Sequence, residues 1–438
     1  MKTLPNIALA ATLMGLAAAV ASLPALAHDH AIKRGRLVFT DHTKPVVQVL
    51  DLDTGEVTHS FPMPLANPAL TGTQGGRYVI IRAGDDAGTV RFLDTGLSYD
   101  NHGDHVDLEK GDVSLLDFSL TGDKPAHVVS GHGQLAVFFD GQRPWERKSE
   151  PQVVLLRLQS LADKKPATTV WTSPAPQHGI AVPLGKRQWL MSLPNPIYAK
   201  GEDRTASSRP DGFEIVEQGK TWKTLASFND LSRADASCKL FHGHGVVKTT
   251  QIFGCAEGDG GGVLVLSPEG KDKWVARKLA YPDDRRTSSV KSGKDAKFAV
   301  GNYGLKGPYN ALLRIDPAAK AMTMDDVFAV PGGQAACRFE LNSDGSRLSN
   351  LTADGKLRIY EVMPSWKEVA SFDAVPSFDC QFGAKTPAPS LAVVGTSAFV
   401  SDPVNGRIRE YHLNTLKQRL DMPVGGAPTG LTGAGDPG

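Results

Sequence analysis

From Arg36 onward one pattern keeps returning: a short β-rich run, a turn carrying Asp, Gly or Asn, a second run, another turn and a third run. Arg36 to Thr40 leads to Val46 to Asp51, then through Asp53-Thr54-Gly55 to Val57 to Phe61. The same plan recurs at Leu348 to Thr352, Gly355 to Val362 and Trp366 to Phe372, and again at Ala398 to Ser401, Gly406 to His412 and Leu416 to Met422. Further units begin near Tyr78, Leu135, Gln188, Gln251 and Lys297. Apolar and polar residues alternate inside several runs, as in Leu357-Arg358-Ile359-Tyr360-Glu361-Val362, which is the period of a half-buried strand. A repeat of roughly 40–50 residues with about four strands per unit is the signature of a β-propeller. The expected fold is therefore all-β, a β-propeller of eight blades, with seven as the alternative count. The first unit starts on what reads as a second strand. Thr429-Gly430-Leu431 is expected to supply its missing inner strand, so that N- and C-terminal strands close the ring and leave no open sheet edge.

A near-neutral chain limits the partners. Lys and Arg number 48 against 47 Asp and Glu, for a formal net charge of +1, and basic runs are few. That balance argues against nucleic acid and against a polybasic membrane contact. Met1 to Ala27 reads as a secretory signal: Lys2 gives the positive start, Ile7 to Val20 is apolar and alanine-rich, and Ala25-Leu26-Ala27 is a small-residue cleavage site. The apolar run is short for a permanent span, and nothing later approaches one. The expected layout is a signal peptide over 1–27, a mobile histidine-bearing start over 28–35, and one propeller domain over 36–438. The mature protein is then a soluble monomer outside the cytoplasm. Four cysteines in such a compartment suggest two disulfides, for which three pairings exist. Their spacing is neither that of a thioredoxin motif nor of a c-type haem site.

The chemistry is carried by histidine. His102-Gly103-Asp104-His105-Val106-Asp107 puts two imidazoles and two carboxylates within six residues, in a stretch no apolar stripe explains. Imidazole and carboxylate are zinc ligands, although such a run is also what a solvated polar loop looks like. His127, His178 and His244 each open an inner-strand run in three consecutive units: His127-Val128-Val129, His178 to Val182 and His244 to Val247. In matching phase their imidazoles are expected to converge at one mouth of the central channel as a three-nitrogen zinc shell with one open position. His242, two residues earlier on the same strand, is the alternative to His244. His132 follows its inner strand and is expected at the opposite mouth, where His102 and His105 form a second cluster with it if the insertion joins third and fourth strands. The insertion is also long enough to reach across and complete the first. Channel-facing histidines elsewhere merely hydrogen-bond to water and backbone; their recurrence over neighbouring units is what favours metal here. His28-Asp29-His30 adds a chelating start, with a histidine at position three that also suits copper(II) or nickel(II). Two loops break the repeat, Asp100 to Gly111 and Asn195 to Asp211, and long loops on a rigid scaffold are where function tends to sit. No nucleophile elbow, metalloprotease helix motif, P-loop or dinucleotide fingerprint occurs.

With these residues in view, the chain resembles the periplasmic zinc metallochaperones of the AztD family. The resemblance rests on Asn101-His102-Gly103-Asp104-His105, on His127 through Phe138-Phe139-Asp140-Gly141, on Gln177-His178-Gly179, and on Phe241-His242-Gly243-His244-Gly245 with Phe253-Gly254-Cys255. It implies a secreted, non-enzymatic β-propeller in the periplasm that binds Zn2+ and passes it to the solute-binding protein of a zinc ABC importer. It does not match each family ligand to one histidine, so the metal candidates remain His102, Asp104, His105, His127, His132, His178, His242 and His244, with His28, Asp29 and His30 as accessories.

Two other classes compete. One is a propeller enzyme of quinoprotein or lactonase type using a channel metal; no carboxylate-rich calcium shell and no general base is placed beside the histidines to support it. The other is a pure interaction propeller, from which zinc in the purified protein would separate the first two. Cys238 precedes an inner strand and Cys255 ends the strand antiparallel to it, so these two are expected to pair. Cys337 and Cys380, in similar places of successive units, form the other expected bridge.

Overall fold

A computed structural model describes residues 33–103, 105–256, 261–270 and 272–435. They form eight four-stranded antiparallel sheets, so the repeat counts as eight blades. The inner strands are Pro428–Ala434 in blade 1, Ala69–Gly72 in blade 2, Pro125–Gly131 in blade 3 and Ala181–Pro183 in blade 4. His242–Val247, Val290–Ser292, Ala336–Leu341 and Leu391–Val394 serve blades 5 to 8. The mouth at which these strands begin is called upper here, and the mouth at which they end is called lower.

Blade 1 closes the ring as expected. Pro428–Ala434 pairs antiparallel with Arg36–Asp41, with Leu431 opposite Phe39 and Thr432 opposite Val38. Thr40 and Thr429 add a buried hydroxyl contact of 3.2 Å across the seam. Second and third strands are buried on both faces, as in Gln134–Phe139 and in Lys356–Glu361, where Arg358 is buried beside Leu357 and Ile359; fourth strands such as Glu56–Pro62 alternate exposed and half-buried.

The core lies between blades rather than within them. Ile180, Leu190 and Phe213 of blade 4 pack against Phe241, Phe253 and Leu264 of blade 5. Phe213, Phe241 and Phe253 are fully buried with ring centroids 5.4–6.2 Å apart. Burying rings of this size stabilises by about 1.5–3 kcal/mol each, which makes the blade 4–blade 5 seam a rigid floor. Cys238 and Cys255 are bonded within that seam, and Cys337 and Cys380 are bonded between blade 7 and the loop leading to blade 8, both as expected.

The insertion in blade 2 is a hairpin, Leu97–Asn101 paired with Val106–Lys110. It leaves the third strand, Val90–Asp94, and returns to the fourth, Ser114–Leu120, so it projects from the lower side. Arg36 bonds to the carbonyls of Thr95 and Gly111 at its base, and Lys110 pairs with Asp51 and Asp53 at 2.8 and 2.6 Å. At the chain's described start, Lys33 pairs with Glu109 and Arg34 bonds to Asp53, Leu52 and Glu410. Lys33 and Arg34, expected within a mobile start, are thus tied to the propeller. No helix among the described residues is long and apolar enough to cross a membrane.

Candidate metal centre

Three imidazoles from three neighbouring blades meet at the upper mouth: His127, His178 and His242. His127 sits near the start of the blade 3 inner strand, His178 just ahead of the blade 4 inner strand, and His242 is the first residue of the blade 5 inner strand. Their ring centroids are 4.5 Å apart for His127 and His178, 5.4 Å for His178 and His242, and 5.6 Å for His127 and His242. A cavity of about 10 Å³ lies among them, floored by Ile180, Phe241 and Phe253.

Each ring is held through Nδ1. His127 Nδ1 is 2.7 Å from the Gly179 carbonyl and His242 Nδ1 is 2.6 Å from the Ser288 carbonyl. His178 Nδ1 lies 2.7 Å from Asp140 Oδ2. A carbonyl or carboxylate oxygen only accepts, so in the neutral rings all three Nδ1 atoms carry the proton and all three Nε2 atoms present a lone pair. The Nε2 atoms of His178 and His242 are 3.4 Å apart. Two lone pairs facing each other repel; a cation between them removes the conflict. Tetrahedral zinc with Zn–N of about 2.0–2.1 Å sets its nitrogens about 3.4 Å apart.

Local sequence explains the placement. Gly179 lies against the Phe138 ring, where a Cβ would approach to 2.3 Å, so only glycine brings its carbonyl to His127. Gly243 has φ +80 and forms a bulge at which the pairing shifts between His242 and His244. A Cβ at Gly243 would meet the Ser288 carbonyl at 2.9 Å, and that carbonyl is the one His242 donates to. The Asn195 to Asp211 loop, singled out in the sequence, is fastened beside the trio: the Ser208 carbonyl accepts from the His178 backbone N–H at 2.7 Å and the Pro210 carbonyl from the Phe241 N–H at 3.1 Å.

Burial, reinforced by His178 and His242 nearby, pushes the His127 imidazole down from 6.5 to about 3, with the bond to Gly179 opposing. Burial also takes His242 to about 4, opposed by its bond to Ser288 and helped by the positive charge of Arg209. These two rings are neutral at physiological pH, which is the ligating form. Asp140 is raised by burial and drawn back down by the bond to His178.

His244, expected beside His127 and His178, lies elsewhere, and His242 takes that place. The bulge at Gly243 breaks the strand's alternation, so His244 stacks on Phe253 with centroids 5.1 Å apart and its Nε2 bonds to Gln251 at 2.9 Å. It opens toward a cavity of about 610 Å³ at the lower mouth, which His132 also lines. His132 is therefore at the lower side as expected, without joining the hairpin histidines among the described residues.

The hairpin carries a second group. His102 Nε2 lies 3.5 Å from both Asp100 Oδ2 and Asp107 Oδ2, and His105 Nε2 lies 3.7 Å from Asp107 Oδ2. These side chains are exposed, and the two rings stack at 5.1 Å. The hairpin emerges at the lower side, so it does not complete the upper trio. Asp104 and the accessory His28, Asp29 and His30 lie outside the described residues. Asp140 was legible only as part of a family motif, and its orienting role had no signal in spacing.

No family model matches the chain. Over 444 aligned positions it is 28% identical to the zinc chaperone AztD of Citrobacter koseri, spanning all of this chain and 94% of that protein. The crystal structure of Citrobacter koseri AztD superposes with a TM-score of 0.77 at 26% identity, covering 92% of this chain and 98% of that one. The apo structure of the same relative gives 0.75 at 25% identity with the same coverage. The likeness implied by the histidine motifs thus runs through the whole chain and its fold.

Proposed function

We propose that this chain, similar to AztD over its full length, is a zinc chaperone whose cargo is held at the upper mouth by the Nε2 atoms of His127, His178 and His242. The observation that carries this reading is the approach of two Nε2 lone pairs to 3.4 Å, with their Nδ1 protons committed to Asp140 and the Ser288 carbonyl. Neutral imidazoles bind zinc without first shedding protons, and three of them leave a fourth position through which a metal is handed over. A chaperone needs that open position. No catalytic nucleophile or base is part of the reading, and the likeness to AztD supports a carrier rather than an enzyme.

The exposed group at His102, His105 and Asp107 is read as a second, weaker zinc site at the lower side, since two rings and carboxylates on a hairpin tip are held less rigidly than the upper trio. Delivery is to a protein acceptor, the solute-binding protein of a zinc ABC importer in the periplasm, reached after removal of the signal segment over 1–27. Two disulfides are consistent with that compartment. Leu65, Ile197, Leu231, Leu305, Phe382 and Val404 are exposed on the loops that surround the upper mouth, where an acceptor would have to approach.

The test is metal content and transfer. Protein purified without a tag is expected to carry zinc, to lose the tightest equivalent when His127, His178 and His242 are all replaced by Ala, and to pass zinc to the apo acceptor without turnover of any substrate. An unchanged affinity and stoichiometry in the triple variant would remove the upper-mouth site.

A further inference from the structure

Two arginines, Arg209 and Arg286, stand on the loops at the upper mouth. Arg209 sits in the loop segment whose flanking carbonyls, Ser208 and Pro210, are bonded to the backbone of His178 and Phe241, so its position is tied to two sides of the trio. Arg286 stands two residues before Ser288, the acceptor for His242, and its backbone pairs in both directions with Gly304 at 3.0 and 3.1 Å. The Tyr309 ring packs on Gly304, where a Cβ would come within 2.7 Å of it. Arg209 and Arg286 make no ion pair among the described residues, and the Arg286 Nε is buried with no hydrogen-bond partner there. The two guanidiniums feel each other: burial and Arg286 both push Arg209 below its ordinary value, while Tyr309 acts the other way.

Half-buried like charges without a counter-ion are costly, and a planar fork of donors matches a carboxylate. A zinc ion on the three imidazoles, with Asp140 bonded to His178 alone, adds further positive charge beside the arginines. Such a zinc favours an anionic oxygen in its fourth position.

We propose that Arg209, Arg286 and the Tyr309 hydroxyl form a carboxylate-binding site beside the trio, whose bound carboxylate supplies the fourth ligand of the zinc held by His127, His178 and His242. This rests on the zinc reading for the metal and on the arginines for the anion. The carboxylate lowers the positive charge at the mouth and holds the coordination position through which zinc leaves.

Cobalt(II) in place of zinc reports the fourth ligand by its visible absorption. Acetate titrated into the cobalt-loaded protein is expected to shift those bands, and the R209Q/R286Q variant to need at least tenfold more acetate for half the shift while binding the same amount of cobalt. Y309F, which keeps both charges, is expected to need a few-fold more, and it serves as the readout should the double variant fail to fold by circular dichroism. Equal half-saturation in the wild type and the variants overturns the anion site. Absence of cobalt bands in the wild type overturns the zinc reading instead, a distinct result. Transfer to the apo acceptor with and without saturating acetate tells the sources apart. Slowing assigns the carboxylate to an Asp or Glu of the acceptor, and an unchanged rate assigns it to a free small anion.

Discussion

His242 and His244 stand two residues apart on one inner strand, yet the first opens on the 10 Å³ cavity at the upper mouth and the second toward the 610 Å³ cavity at the lower one. The bulge at Gly243 separates them, and it predicts which of the two matters for metal. His242→Ala is expected to lower upper-site zinc affinity by two orders of magnitude or more. His244→Ala is expected to leave that affinity within a few-fold and to cost about 1–2 kcal/mol of stability through the lost bond to Gln251. Competition with a chelating dye and urea unfolding read the two effects separately.

Gly243→Ala tests the bulge itself. A methyl group there meets the Ser288 carbonyl and the Ser289 nitrogen at 2.9 and 3.0 Å in a backbone with φ +80. The substitution is expected to destabilise by roughly 1–3 kcal/mol and, by displacing the Ser288 acceptor, to weaken zinc at least tenfold. Retention of wild-type affinity would show that His242 does not depend on this carbonyl for its orientation.

Asp140→Asn keeps the shape and removes the charge that fixes the His178 tautomer. Outer carboxylates on zinc histidines are worth about 10–100-fold in affinity, and a loss in that range is expected here, with the fold intact by circular dichroism.

The depressed His127 and His242 values make metal-free stability depend on pH. The folded rings resist protonation until about pH 3 and 4, whereas the unfolded rings take up protons near 6.5. Between those limits the unfolded state binds more protons, so stability is full above pH 6.5 and falls as pH drops toward 4. Each imidazole contributes a slope of up to about 1.4 kcal/mol per pH unit. Urea unfolding at pH 7.5 and 5 is expected to differ by roughly 4 kcal/mol from these two groups, and the H127Q/H242Q variant to show that much less. The same shifts keep protons from competing with zinc for the His127 and His242 rings until well below pH 6.

His102→Ala with His105→Ala is expected to remove the weaker zinc equivalent and leave the upper one untouched, because the hairpin projects from the lower side and the trio lies at the upper mouth. Isothermal titration resolves the two phases, and a loss of both would mean that they are coupled.

The blades were legible because short β-rich runs recur between turn residues, with fourth strands such as Glu56–Pro62 alternating in exposure, and the closing strand because blade 1 lacked a partner for Arg36–Asp41. The Cys238–Cys255 disulfide was legible from the antiparallel order of neighbouring strands, and Cys337–Cys380 from similar places in successive units. The trio was legible only in part. His127 and His178 were legible because each opens an inner-strand run, although pairing also shifts between Pro125 and Val128; the shift at Gly243 is set by its close approach to Ser288, a contact 45 residues along the chain that alternation does not encode. Arg209 escaped notice because its loop is held by backbone carbonyls, which any residue supplies.

The seam between Phe39 and Leu431 has a consequence for biosynthesis. His127, His178 and His242 are all made long before the ribosome reaches Pro428–Ala434, yet the ring around them has no closing strand until that last segment is laid against the first. A nascent or C-terminally clipped chain therefore carries its metal-binding side chains on an arc with an unsatisfied strand edge at Arg36–Asp41, open to other chains. Emergence of Pro428–Ala434, rather than arrival of zinc, is the event that turns the arc into a closed ring.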